Sequence, residues 1–374
     1  MKICYLSNAN NYHTIKWCRW FSERGHQILV LSLDPCTSEV MLSLGGVEVV
    51  WLRSPANRSS NGLTKMAYAL TAGQARRAID RFRPDVLHAH YASSYGLVAA
   101  LASQQDHYLS VWGSDVYDFP QRSALHRAII RHALKSARWV MSTSEAMAKE
   151  TSKYTDKSAY ITPFGVDMEL FSPDKRSRFN GDGRFVIGTV KALEQKYGID
   201  VLLRGAAKLH DERPDIPLEV RIAGKGSQEG VLKELASALG ISGMVSWLGF
   251  IPQEKVVREW ADMDVAVVTS MQESESFGVS SVEAQACGTP VVYSDIPGLM
   301  EAAGGGRTGI CIRRGDADAL ARELARLFDD TELRARLGDE GRAFVSGAFD
   351  IDYCFERVAS IYECNLARAG RGAQ

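Results

Sequence analysis

The stretch Glu275-Ser276-Phe277-Gly278-Val279-Ser280-Ser281-Val282-Glu283-Ala284-Gln285-Ala286-Cys287-Gly288-Thr289-Pro290-Val291-Val292 sets two carboxylates, with seven residues between them, around a glycine turn. Phe277-Gly278 interrupts what precedes it. Val279 to Ala286 has helical composition, Gly288 suits the left-handed residue beyond a helix end, and Pro290-Val291-Val292 opens a buried strand. Glu275 therefore falls on a loop and Glu283 inside a short helix. The amides of residues 276 to 280 open that helix, and N–H groups at a helix N-terminus attract phosphate. Ionised carboxylates only accept hydrogen bonds, so beside an anion site they suit hydroxyl groups. A phosphate flanked by polyols describes a nucleotide sugar.

The segment as a whole, E-S-F-G-x4-E-A-x-A-x-G-x-P-V-V, resembles the signature of the family-four retaining glycosyltransferases of the GT-B fold. Gly188-Thr189-Val190-Lys191-Ala192-Leu193-Glu194-Gln195-Lys196-Tyr197-Gly198 is similar to the family's G-R-L-x3-K-G segment, with Lys191 where arginine is usual. Gly224-Lys225-Gly226-Ser227 and Trp247-Leu248-Gly249-Phe250 resemble its nucleotide-side turns, and Ile161 to Asp167 resembles its P-N-G-V-D linker with Phe164 replacing asparagine. The resemblance implies an α/β architecture of two facing Rossmann-like domains with parallel sheets and an interdomain cleft. It divides the chain into an acceptor domain over 1–170, a nucleotide-sugar donor domain over 171–350, and a helix over 351–374 that crosses back to the first domain and ends in a tail. It further implies transfer from a nucleoside-diphosphate sugar, with UDP favoured. Lys191 and Lys196 would hold the diphosphate, Glu275 the sugar hydroxyls and Glu283 the ribose. Ser276, Phe277, Gly278, Val279, Gly224 and Phe250 would complete the donor site.

At 374 residues the chain is long enough for two cores, and 45% hydrophobic with 24% charged residues is ordinary for a globular enzyme. No apolar run reaches 18 residues and no cleavable leader is recognised, so a cytoplasmic enzyme is expected. Seven scattered cysteines without a C-x2-C pair argue against a disulfide framework or a zinc site. The net charge of −1 conceals a split: residues 1–160 hold 19 Lys and Arg against 12 Asp and Glu, the remainder 25 against 33. A basic first half suggests an anionic membrane surface or lipid phosphate as partner. Residues 123–140 have helical composition, with Arg127, Arg131, Lys135 and Arg138 gathered on one face, so docking at the inner face of the cell membrane is the expectation. A pI near 6.7 and the lack of a basic-aromatic stripe argue against nucleic acid.

Along the first half, 1–6, 27–32, 85–90, 108–112, 139–142 and 158–162 read as strands, with a helix over 13–24. In the second half strands are expected at 185–188, 218–223, 245–249, 265–269 and 290–294, and a helix over 353–367. Residues 171–183 form the natural boundary, and 370–374 a frayed tail. Acceptor-side candidates lie at strand ends. Asn8-Ala9-Asn10-Asn11 stands where the family often has paired glycines, and asparagine tolerates left-handed backbone. His88 and His90 are read either as acceptor ligands or as a pair pointing to opposite faces with one packed. Trp112 replaces the histidine of the family's T-x-H-G-x-D; its indole only donates, which suits stacking on a sugar or packing in the core. Asp115 is the further acceptor-side candidate. Asp262-Met263-Asp264 and Asp316-Ala317-Asp318 spell D-x-D, but both fall at element edges, and no metal or cofactor is expected. Two other classes compete with the transferase. A dinucleotide-dependent oxidoreductase lacks its G-x-G-x-x-G after the first strand, and a catalytically inactive nucleotide-sugar-binding homologue remains an alternative.

Overall fold

A computed structural model describes residues 1–54, 68–176 and 183–371, with side chains to residue 368. The expected boundary segment 171–183 and tail 370–374 therefore lie partly outside the described residues. The chain forms two compact units, Met1–Phe164 with Phe355–Gln374, and Gly165–Cys354.

The first unit carries a seven-stranded parallel sheet in the order β3-β2-β1-β4-β5-β6-β7. Its strands are β1 (Lys2–Leu6), β2 (Gln27–Ser32), β3 (Val47–Trp51), β4 (Val86–His90), β5 (Tyr108–Val111), β6 (Trp139–Ser142) and β7 (Ala159–Ile161). Apolar runs such as Ile3-Cys4-Tyr5-Leu6 are buried throughout, as a parallel sheet covered on both faces requires. Each fully buried large side chain contributes about 1.5–3 kcal/mol. The helix Tyr12–Glu23 is capped by Asn11, whose side chain accepts from His13 N and Thr14 N. The last helix, Ile351–Arg371, enters this unit from Phe355 onward. Phe355 packs against Trp17 and Trp20, and Tyr362 against Phe21 and Tyr108.

The second unit carries a six-stranded parallel sheet in the order β10-β9-β8-β11-β12-β13. These are β8 (Phe185–Val190), β9 (Leu218–Ala223), β10 (Val245–Gly249), β11 (Val265–Val268), β12 (Val291–Ser294) and β13 (Gly309–Ile312). In both sheets the order reverses once, between β1 and β4 and between β8 and β11. Ligands of open parallel sheets bind beyond the carboxyl ends of the strands at such a switch point, and both candidate sites lie there.

The helix expected over 123–140 is shorter. It spans Ala124–Ser136 and stops because Arg138 and Trp139 donate their amides to His107 O and the chain turns into β6. Arg138 thus lies beyond the helix, 4.0 Å from Asp106, while Arg127, Arg131 and Lys135 are exposed along it.

Candidate active site

Lys191 follows β8 directly, and its amide donates to Ala223 O at the end of β9. Its ammonium pairs with Glu275 Oε2 at 2.8 Å, with side chains only 12% and 9% exposed. It also lies 3.4 Å from Ser280 Oγ, and that hydroxyl donates to Val190 O. Lys196 stands on the short 3-10 turn Gln195–Tyr197 that precedes the left-handed Gly198 (φ 61°). Both ammoniums lie over one ring, 4.7 Å (Lys191) and 4.9 Å (Lys196) from the centroid of Tyr197. Tyr197 is the residue that sequence reasoning missed; its place between two cations and a glycine was the available signal. The helix Val279–Ala286 begins beside Lys191 from a left-handed Gly278 (φ 72°), without a side-chain cap. Its positive end and two ammoniums converge on one place, offset by the Glu275 carboxylate.

The neighbouring candidates divide into facing and supporting residues. Glu283 accepts from Trp260 Nε1 at 3.4 Å, and the fully buried Trp260 is anchored through its carbonyl by Thr289 Oγ1. Phe277 is 6% exposed and meets Phe349 edge-on at 5.3 Å, so its ring fixes the loop from the core. Ser276 is buried, with Gly298 packed so tightly against it that a Cβ there would lie 2.4 Å from the Ser276 carbonyl carbon. Gly224 acts through the backbone too: its φ of 141° and its approach to Lys191 O leave no room for a side chain. Phe250, after β10, is 77% exposed.

In the first unit a cavity of about 310 Å³ opens at the switch point, lined by Ser7, Asn8, Asp34, His90, Tyr91 and Trp112 among others. Tyr91 has φ 78°, a costly backbone state for an aromatic residue, held by its amide to Ser110 O and its hydroxyl 2.5 Å from Ser114 Oγ. The asparagine turn uses no left-handed residue, contrary to expectation. Asn8 Oδ1 accepts from Asn10 N, and Asn8 Nδ2 donates to Asp34 Oδ2. Asn10 Oδ1 accepts from Thr37 N and Ser38 N, so side-chain hydrogen bonds replace the missing glycines.

His88 and His90 share one side of β4, as residues two apart must, with rings 4.5 Å apart; the opposite-face reading is corrected. What separates them is depth. His88 is fully buried between Tyr362 Oη (2.5 Å) and Ser110 Oγ (2.8 Å), a core residue outside the cavity lining, whereas His90 reaches the cavity. Asp115 is likewise a supporting residue. Fully buried, it accepts from Ala92 N, Trp112 N and Gly113 N and so shapes the loop that carries Trp112. Trp112 meets Phe164 edge-on at 5.3 Å, and Phe164 stacks on His13 at 3.8 Å. Two of the residues that depart from the family pattern thus pack on each other. The D-x-D acids serve locally: Asp264 binds Val186 N and Arg176, Asp316 caps a helix, and Asp318 pairs with Lys208. Among the described residues no group of three or more His, Cys, Asp or Glu is placed to hold a metal.

Burial lowers the pKa of His88, His90 (to about 3) and His107 (to about 4). The folded protein keeps these rings neutral, while the unfolded chain protonates them near 6.5. Their stabilisation is present above that pH and is lost as pH falls toward the depressed values. The melting temperature should therefore drop steadily below about pH 6.5, and His90→Gln should flatten that slope. Identical slopes in melting curves of the two proteins would remove His90 from this role.

Comparison with known proteins finds family matches on both halves of the chain. Residues 172–344 match the family described as glycosyl transferases group 1, and residues 2–144 the glycosyl transferase 4-like family. Among curated relatives, a D-inositol 3-phosphate glycosyltransferase of Pseudarthrobacter chlorophenolicus is 30% identical over 291 residues, 71% of this chain and 67% of the relative. One from Arthrobacter sp. is 35% identical over 217 residues, 56% of this chain, and the match spans only 50% of that relative's length. Among solved structures, Anabaena HepE in complex with UDP and glucose superposes with a TM-score of 0.79 at 20% identity, covering 97% of this chain and 99% of that one. The sucrose-phosphate synthase of Thermosynechococcus elongatus gives 0.84 at 19%, covering 98% and 100%. With a family match on each half, a relative covered over two thirds of its length and both sheets in the same architecture, the chain belongs to the family-four glycosyltransferases of the GT-B fold.

Proposed function

We propose that the chain transfers a sugar from a nucleoside-diphosphate sugar, with UDP favoured, to a hydroxyl group of a glycan or lipid-linked glycan, with retention of configuration. The observation that carries this reading is the convergence of Lys191, Lys196 and the start of the helix Val279–Ala286 at the switch point of the second sheet. The bond between the anomeric carbon and the diphosphate oxygen breaks, and negative charge grows on the leaving group where these cations are already oriented. The acceptor oxygen bonds the same face of that carbon, and its proton passes to the departing phosphate. Glu275 holds Lys191 and receives sugar hydroxyls, Glu283 receives ribose hydroxyls, and the reading needs neither metal nor cofactor. The UDP named in the HepE complexes supports the choice of base.

Incubation with UDP-, GDP- and ADP-sugars and a panel of glycan acceptors tests it. One donor should be consumed with release of its nucleoside diphosphate and formation of a retained glycoside, and Glu275→Ala should abolish this. Tight nucleotide binding without consumption would instead favour an inactive homologue.

We place this reaction in cell-surface polysaccharide assembly, at the inner face of the cell membrane. Among the described residues no helix is long and apolar enough to cross a membrane. Exposed Arg127, Arg131 and Lys135, with Leu125 also exposed on the same helix, suit an anionic surface, each cation adding about 1 kcal/mol there. Co-sedimentation with vesicles containing phosphatidylserine should weaken with salt and fall when all three cations become Gln. Undiminished binding by the triple variant would exclude this helix.

A further inference from the structure

The cavity of the first unit bears on the identity of the acceptor, a question that rests on the transferase function proposed for this chain. Its volume, about 310 Å³, stands at the low end of small-molecule sites, which span roughly 300–1,000 Å³. Among the described lining residues the one charged side chain is Asp34. Its carboxylate accepts from Asn8 Nδ2 at 3.2 Å, so an amide and a carboxylate stand side by side, one offering donors and the other acceptors. Tyr91 and Trp112 supply aromatic walls, and the strained Tyr91 backbone is fixed by hydrogen bonds at its amide and its hydroxyl.

His90 adds the decisive polar atom. It is fully buried, lines the cavity, and its Nδ1 lies 3.1 Å from Ser7 Oγ, which in turn lies 2.7 Å from Thr14 Oγ1. Among the described residues its Nε2 is buried without a hydrogen-bond partner. A buried polar atom without a partner costs about 1–3 kcal/mol, so the unmatched nitrogen of a cavity-lining residue is a place for a ligand atom. Burial keeps the ring neutral. Whichever ring nitrogen carries the proton, a hydroxyl can match Nε2, because a hydroxyl both donates and accepts.

We infer that this cavity seats an uncharged pyranose ring of the acceptor, with hydroxyls on His90 Nε2 and Asp34 and a ring face on Trp112, and that it disfavours a phosphorylated polyol. The curated relatives are called D-inositol 3-phosphate glycosyltransferases. A phosphate placed here would instead meet the Asp34 carboxylate at short range, where like charges repel.

The test is binding by the full chain in the presence of saturating UDP, read by ligand-observed saturation-transfer NMR. The neutral probes are the methyl pyranosides of glucose, galactose, mannose and N-acetylglucosamine; the charged probes are glucose 6-phosphate and inositol 3-phosphate. At least one neutral probe should bind at millimolar concentration, about tenfold or more tightly than either charged probe. Trp112→Ala should weaken it. Asp34→Asn should raise affinity for a charged probe relative to the neutral one, a gain that misfolding cannot mimic. Charged probes binding as well as neutral ones, or an unchanged ratio in Asp34→Asn, would overturn the inference. If no neutral probe binds while UDP does, the inference fails and the donor reading stands. If a pyranoside binds and UDP does not, the donor reading fails instead.

Discussion

Lys191→Ala is expected to lower kcat by about 10²–10³, the scale seen when one preorganised donor to a developing oxyanion is removed. Lys191 is held at three points: its amide on Ala223 O, its ammonium on Glu275 and the Tyr197 ring beneath it. In the proposed donor site it would therefore meet the diphosphate without reorganising. The same substitution has a second cost. With side-chain exposures of 12% and 9%, the pair is close to a buried one, and deleting one partner strands the other, about 3–5 kcal/mol in fully buried cases. Comparing Lys191→Ala with the double variant Lys191→Met, Glu275→Gln separates the two effects. The double variant should recover much of the urea midpoint yet stay as inactive as the single one. Lys191→Arg should keep most of the activity, since the charge is preserved and arginine is the residue usual at this position in the family pattern. A Lys191→Ala enzyme that loses less than about fivefold in kcat would place the diphosphate elsewhere.

This pair shows where reading from sequence stops. Sequence assigns Lys191 and Glu275 to separate parts of the donor; that they bond each other depends on the pairing of β8 with β11 and on the Gly198 turn against Thr269. The bounds of β2, β6, β9 and β10 are legible because continuous apolar runs end at polar or glycine breaks. The strands β3 and β13 are not. Both are sheet edges, half-exposed, and Val47-Glu48-Val49-Val50-Trp51 or Gly309-Ile310-Cys311-Ile312 lacks the long buried run of a central strand. The H-x-H of β4 marks the right strand end. It does not say that the earlier histidine is closed off by Tyr362, a residue 274 positions away on the last helix. Asp115 misleads for a related reason: a carboxylate in a glycine turn looks the same in sequence whether it binds a ligand or its own backbone. Here three backbone amides occupy it.

Gly224→Ala should be the most damaging small substitution in the second unit. Gly224 closes β9 with φ 141°, a region that residues with a Cβ rarely adopt, and its amide donates to Gly249 O at 2.7 Å. A Cβ built there lies 1.9 Å from Lys191 O and 2.8 Å from Lys191 C, both backbone atoms without a rotamer to yield. Either the β9 turn or the Lys191 segment must move, and the neighbouring bond from Lys191 N to Ala223 O ties the two together. Strained backbone and overpacking each cost about 1–3 kcal/mol, so a loss of about 2–5 kcal/mol is expected in urea unfolding of this unit. The functional signature is more specific than the loss of stability. Because the displaced atoms belong to Lys191, affinity for UDP should fall about tenfold while affinity for uridine changes little. Gly230→Ala supplies the control. That glycine sits in the first turn of the helix Glu229–Ala238 with nothing within 4 Å of the added methyl, and alanine there should stabilise by about 0.5–1 kcal/mol. If Gly224→Ala instead unfolds at the parent midpoint and binds UDP as tightly, the backbone of β9 does not set the position of Lys191, and the cation must be held by Glu275 and Tyr197 alone.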